Sequence, residues 1–283
     1  MSKIKENKMT YIGTIFMIVL ILSGIVKGFM ESLKRGGWNN YRNLFRGQEF
    51  YDSLFLSLKL GIITTVLVGL LSLLLIYFLY MISNKYSIKR VRILKNIIIS
   101  PILFPYIVAA FCMGMLLMQS GILGRIAYRL GIISQMSEFP QLVNDKYGIG
   151  IVIGYLWKTI PFMILMLYPV LEKVKDKWYD LGNIYNATEK QFFFYVVFPM
   201  MKNAIMTGLF IVFAYSFSAF ELPYFLGQTY PKTLSVYSYL RYAKGPFEER
   251  GEALAANFIL TLIVIMIGTV ACYFYNKLKQ REG

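Results

Sequence analysis

The sequence predicts an all-α membrane protein with six transmembrane helices. Three observations carry that prediction. Hydrophobic residues make up 57% of the 283 positions and charged residues only 16%, which is outside the composition of an ordinary soluble domain. The apolar residues fall into runs long enough to cross a bilayer. Between them lie short basic loops, of which residues 83–95 are the clearest: Lys85, Lys89, Arg90, Arg92 and Lys95 occur there with no acidic residue.

The same composition excludes other classes. A net charge of +15 invites a nucleic-acid partner, but the basic residues are spread between apolar runs. Positive-inside topology accounts for them better, so the expected partner is the lipid bilayer and not nucleic acid. The chain has no histidine, which excludes a His-based triad or zinc site. Cys112 and Cys272 both lie inside apolar runs and read as small packing residues. No G-x-x-x-x-G-K-[ST] stretch is present to hold nucleotide phosphates, so no cofactor, metal or catalytic residue is expected on this chain. With no internal repeat, linker or low-complexity stretch, residues 1–283 read as one membrane domain.

Taken in order, Lys3, Lys5 and Lys8 precede an apolar run from Tyr11 to Ile25. It is longer than a signal-peptide core and no small-x-small site follows, so an uncleaved first span is expected at about 11–30. Residues 31–52 then form an external loop, with Trp38 and Tyr41 as interface aromatics. The second span covers 53–82, with Lys59 snorkelling near its outer end. The basic loop 83–95 follows. The third span, 97–119, contains Pro101 and Pro105, which bend or loosen it. Residues 120–147 return outside, with an amphipathic surface helix expected near 121–133. The fourth span, 148–171, contains Trp157-Lys158-Thr159-Ile160-Pro161. A lysine at that depth requires a partner or water. The fifth span, 204–220, leads into Glu221-Leu222-Pro223, and residues 230–252 are polar and external. The sixth span, 253–275, ends in Lys277, Lys279 and Arg281. Both termini are then cytoplasmic.

Residues 178–199, WYDLGNIYNATEKQFFFYVVFP, differ from the runs on either side. Asp180 to Tyr185 can make a short helix with Leu181, Ile184 and Tyr185 on one side. Asn186 best tolerates a left-handed turn among residues other than glycine. Thr188 and Gln191 have capping-box spacing, so a second helix is expected to start at Glu189, with Pro199 interrupting or re-aiming it.

This stretch resembles the EAA loop of permease subunits of binding-protein-dependent type I ABC importers: Glu-Ala-Ala, three residues, Gly, then a later Pro. Asp180 stands at the Glu position, Leu181 and Gly182 at the two Ala positions, Asn186 at the Gly, and Pro199 at the Pro. Ala187, Thr188 and Gln191 match the small-polar and Gln positions. Asp keeps the charge and Asn keeps access to the left-handed turn, although the letters change. The order of features, Trp-Lys-Thr-Ile-Pro-Phe, then the loop, then Ala-Phe-Glu-Leu-Pro-Tyr-Phe-Leu-Gly, is similar to the polyamine-type branch.

The resemblance implies a type I ABC importer permease fold in a bacterial cytoplasmic membrane. It makes the loop the coupling helix that docks on an ATPase subunit, through Asp180, Leu181, Gly182, Ile184, Tyr185, Asn186, Ala187, Thr188 and Pro199. It also implies ATPase subunits that carry the ATP, a second permease subunit of a different sequence, and an extracytoplasmic solute-binding protein. Path-lining candidates are Trp157, Lys158, Tyr215, Ser216, Ser218 and Glu221. Each has a plainer reading, since Tyr and Ser in spans bond neighbouring helices and Lys158 can pair with a helix-end carbonyl. Glu221 suits a cation such as a polyamine, whereas Lys158 suits an anionic or neutral solute, and similar branches also carry thiamine and ferric iron. A stand-alone channel or secondary transporter would instead show paired intramembrane charges or broken helices in both halves. An intramembrane enzyme would need a nucleophile with its base.

Overall fold

The computed structural model describes residues 2–34 and 36–282, with side chains described for 13–34, 36–87, 89–180, 182 and 184–273. The Leu181 side chain and the terminal basic residues Lys3, Lys5, Lys8, Lys277, Lys279 and Arg281 lie outside the described side chains. Twelve α-helices occur among the described residues: α1 Ser2–Leu33, α2 Trp38–Arg46, α3 Gln48–Lys85, α4 Ile88–Ile99, α5 Tyr106–Leu117, α6 Ile122–Arg129, α7 Ile149–Ile184, α8 Glu189–Phe192, α9 Phe198–Ser218, α10 Glu221–Leu226, α11 Leu234–Lys244 and α12 Arg250–Glu282. Among the described residues, six segments are long and apolar enough to cross a membrane: Gly13–Leu33, Gln48–Lys85, Tyr106–Arg129, Ile149–Asp180, Glu189–Ser218 and Phe247–Tyr273.

The chain divides into two compact units. The first comprises Met1–Leu54 and Leu234–Gly283. In it, α12 packs against α1, α2 and α11. Residues 31–52, expected as a loop, are mostly helical. Their turn is fixed by Asn40, whose buried amide donates to the Ser32 carbonyl at 2.8 Å. Phe29 packs on Trp38, Tyr41 and Phe258 with ring centroids 4.9–6.4 Å apart. Arg241 on α11 meets Glu249 at 2.9 Å and Glu252 at 3.1 Å, and donates to the Tyr237 hydroxyl. Burial pushes the Tyr237 phenol above its ordinary range, against the opposing pull of Arg241.

The second unit is Phe55–Thr233 and is built around α7. Two apolar clusters share this helix. One gathers Val68, Ile76, Leu79 and Tyr80 of α3 with Met163, Ile164, Leu167 and Val197. The other gathers Leu56 and Leu60 with Ala110, Met113, Tyr155, Leu222 and Leu226. Lipid tails are as apolar as these side chains, so close packing holds such helices together. Gly208 of α9 shows the requirement: a Cβ there would lie 2.5 Å from the Met163 sulfur. The Asp145 carboxylate caps the start of α7, accepting from the Tyr147, Ile149 and Gly150 amides at 3.1, 2.8 and 3.3 Å.

Several expected helix bounds differ: the fifth span, expected at 204–220, is helical from Glu189, and the third and fourth spans differ in kind. The third span does not bend at its prolines but breaks there. α4 ends at Ile99, a 3₁₀ turn covers Ser100–Leu103, and α5 begins after Pro105. Proline at 101 and 105 removes two amide donors and opens the ladder. Conversely, the fourth span does not stop near 171. α7 runs through Pro161 and Pro169 and on to Ile184, so the segment after Asp180 is its last turn and not a separate short helix. The charged residues 172–180 read as loop, but lysine and glutamate are good helix formers.

Candidate functional site

Residues 178–199 form a compact corner between α7 and α9. α7 closes with a Schellman arrangement. Asn186 takes φ 52° and the Ala187 amide donates back to the Gly182 carbonyl at 3.0 Å. Thr188 then caps α8. Its hydroxyl accepts from the Gln191 amide at 3.4 Å, and the Gln191 side chain accepts from the Thr188 amide at 2.9 Å. The turn chemistry predicted for Asn186, Thr188 and Gln191 is therefore present. The path onward is not a simple interruption at Pro199. A π-helical stretch, Phe193–Val197, joins α8 to α9, and Pro199 stands in the first turn of α9. The residue before α9, Val197, is already helical, so the proline lies in a continuous helical stretch directly after the π-helical turns.

Gly182 faces the buried Phe192 ring, and a Cβ on it would lie 2.7 Å from Phe192 Cδ2. The corner folds tightly because that position carries no side chain. Outward, Ile184 is 71% and Tyr185 82% exposed, and Tyr195 is 79% exposed. Tyr185 and Tyr195, with Trp178 and Val196, border an open cleft of about 550 Å³. Asp180 is exposed near the end of α7.

A carboxylate singled out by none of the sequence motifs holds this corner to the bundle. Glu189 accepts from Tyr80 at 2.6 Å and from Asn84, both on α3, and from Tyr179 on α7 at 2.9 Å. In the sequence Glu189 is visible only as an acid in the first turn of a helix.

The path candidates separate into groups. Lys158 is buried, and its ammonium donates to the Pro101, Ile102 and Phe104 carbonyls at 2.9, 3.3 and 2.7 Å, lying 4.5 Å from the Tyr106 ring centre. These carbonyls belong to the break in the third span, where Pro101 O also accepts from the Phe104 amide at 3.4 Å, and three bonds account for the three ammonium protons. Trp157, half-buried, packs on Phe104 with centroids 5.7 Å apart. The Ser218 hydroxyl donates to the Ala214 carbonyl of its own helix at 2.7 Å.

Tyr215 belongs with two tyrosines that sequence reasoning missed, Tyr106 at 4.9 Å and Tyr155 at 5.8 Å between ring centres. The Tyr155, Tyr215 and Ser216 hydroxyls are buried without a hydrogen-bond partner among the described residues. Glu221, half-buried at the start of α10, lies within electrostatic reach of all three tyrosines. Alternating helix faces carry no signal that these rings meet.

Comparison with known proteins follows the same outline. Residues 92–282 match the profile of the family described as "Binding-protein-dependent transport system inner membrane component". The chain is 21% identical over 274 residues to the sulfate transport system permease protein CysT of Salmonella typhimurium, covering 96% of this chain and 92% of that protein. It is 27% identical over 191 residues to the spermidine/putrescine transport system permease protein PotB of Haemophilus influenzae, covering 66% and 62%. It is 24% identical over 289 residues to the trehalose/maltose transport system permease protein MalF of Thermococcus litoralis, covering 95% and 93%. A chain of a bacterial alginate ABC transporter, solved with an alginate pentasaccharide-bound periplasmic protein, superposes with a TM-score of 0.79 over 98% of this chain and 97% of that one, at 16% identity. The fold is that of an ABC importer permease.

Proposed function

This chain belongs to the family of binding-protein-dependent transport system inner membrane components, the permeases of ABC importers, and on that premise we propose how it works. It is a multi-pass inner-membrane transport subunit. It forms half of a solute path, and a second, different permease subunit supplies the other half. ATPase subunits bind and hydrolyse the ATP, this chain holding no cofactor of its own, and a solute-binding protein delivers the solute from outside. Both termini and the corner 178–199 face the cytoplasm. The corner is the ATPase-docking element, closure of the ATPase pair moves it, and the spans change access in response.

The observation that carries this reading is the pair Ile184 and Tyr185, two large side chains left exposed by a capped turn. Adjacent exposed anchors beside a cleft suit helix-in-groove docking. Ile184→Ala combined with Tyr185→Ala is expected to weaken binding of the purified ATPase subunit to permease proteoliposomes by about thirtyfold, the size of a docking hot spot. Binding unchanged in co-sedimentation would remove the docking role.

We assign the path a small cation such as a polyamine. Lys158 is withdrawn from the path by its three carbonyl partners. Glu221 remains within electrostatic reach of three tyrosines, and a carboxylate near aromatic groups favours an ammonium group. Glu221→Gln is expected to lower the initial rate of labelled spermidine uptake by about tenfold through loss of one charge-assisted contact. Uptake at the wild-type rate would move Glu221 off the path.

A further inference from the structure

We propose that Glu189 is the joint that transmits movement of the docking corner to α3 and α7, a positioning residue of the transport cycle. The inference rests on the reading of 178–199 as the ATPase-docking element and adds the connection by which that element acts on the spans.

The geometry is that of a shared carboxylate. One oxygen, Oε2, accepts from the Tyr80 hydroxyl at 2.6 Å and from the Asn84 amide. The other, Oε1, accepts from the Tyr179 hydroxyl at 2.9 Å. Tyr80 is fully buried. Tyr80 and Asn84 lie one helical turn apart near the end of α3, and Tyr179 lies in the last turns of α7. Lys175, one turn before Tyr179, bonds the Ser83 hydroxyl at 2.9 Å and the Ser83 carbonyl at 3.2 Å, within electrostatic reach of Glu189. Two helices distant in sequence thus meet on one side chain of the corner.

Glu189 also begins α8, directly after the Thr188 cap, so it sits at the origin of the helical stretch that continues through the π turn into α9. Ring contacts also tie the described residues of the corner to α3: Phe192 stacks near Tyr80 at 6.3 Å, Phe193 meets Tyr77 at 4.9 Å and Tyr80 at 5.4 Å, and Phe194 meets Tyr77 at 5.9 Å. Ring packing is less directional than hydrogen bonding and fixes no single donor–acceptor line. Charge-assisted hydrogen bonds are directional and short. A displacement of the corner therefore pulls on α3 and α7 through Glu189, while the rings only fill the space between them.

The test uses the full permease–ATPase complex in proteoliposomes, with the solute-binding protein as isolated from cells as the external stimulus. Its measured quantity is the stimulation of ATP hydrolysis by that protein, a signal that must cross the spans. Glu189→Ala is expected to reduce the stimulation about tenfold, within the usual range of coupling between sites, while hydrolysis without the binding protein continues. Tyr80→Phe and Tyr179→Phe each delete one hydroxyl and are expected to reduce it less. The exchange Asn84→Asp with Glu189→Gln restores an amide–carboxylate pair with donor and acceptor reversed and is expected to recover part of the signal. A role in packing alone would not predict that recovery.

A Lys190→Cys cross-link to the ATPase subunit, present throughout, reports docking of the corner. Full stimulation in Glu189→Ala with the cross-link intact overturns the joint and leaves docking standing. No cross-link in the otherwise unaltered chain overturns both. If Glu189→Ala does not assemble, the two tyrosine variants decide, and full stimulation in both overturns the joint.

Discussion

Lys158→Met is expected to lower the thermal midpoint of the detergent-purified protein by about 4–8 °C, a net loss of about 2 kcal/mol. Two opposing effects set that size. Removing the charge relieves the cost of a lysine deep in a span, about 2.5–3.5 kcal/mol on an isolated helix. It also removes three hydrogen bonds from a charged donor, each contributing about 1.5–3 kcal/mol. The second effect is larger. The Pro101, Ile102 and Phe104 carbonyls belong to the break between α4 and α5; Pro101 O keeps the Phe104 amide at 3.4 Å, and Ile102 and Phe104 lose their charged donor once the lysine is gone. The break must then refold, recruit other donors or carry unpaired acceptors. Lys158→Arg keeps a charged donor and is expected to lose less than half as much. A scanning-fluorimetry midpoint unchanged in Lys158→Met would mean that the break satisfies its carbonyls in another way.

Asn186→Val and Gly182→Val are each expected to abolish measurable binding of the ATPase subunit and with it solute uptake, while the protein still inserts. The two variants strike the corner differently. Asn186 has φ 52°, and a β-branched residue held there costs about 1–3 kcal/mol, more than one cap can offset. The turn is then expected to open and release the Ala187–Gly182 bond. At Gly182 the obstacle is the Phe192 ring, 2.7 Å from the first added carbon. Phe192 is itself wedged against Tyr80 and Tyr179 at 6.3 and 5.7 Å, so it cannot yield without disturbing the Glu189 network. Membrane insertion depends on the spans and not on this turn. Asn186→Gly supplies the control, since glycine adopts positive φ without strain, and it is expected to bind the ATPase subunit as the unaltered chain does. Co-sedimentation with proteoliposomes measures the binding. Wild-type binding by Asn186→Val would show that docking does not need the left-handed turn.

The sequence alone determined the features whose physics is local. Runs of apolar residues and the basic stretch 83–95 specify spans, because transfer to lipid is a property of about twenty consecutive residues. Asn186 and the Thr188–Gln191 box specify the turn, because their hydrogen bonds reach no further than five positions along the chain. The place where the third span weakens is written in Pro101 and Pro105.

The tertiary structure alone decided what the polar side chains inside the membrane do. Lys158 reads from its span either as a lining residue or as a partner of a helix-end carbonyl, and only the packing selects the carbonyls, 54 to 57 positions earlier. Glu189 reads as an ordinary first-turn acid, and its partner Tyr80 is 109 positions away. The meeting of Tyr106, Tyr155 and Tyr215 depends on three helices packing side by side. The continuity of α7 past residue 171 was hidden because a charged helical turn and a charged loop have the same composition. Helical periodicity tells which face a side chain occupies but not which helix will cover it. In this chain the hydrogen bonds that hold the break and the corner are made across that unknown.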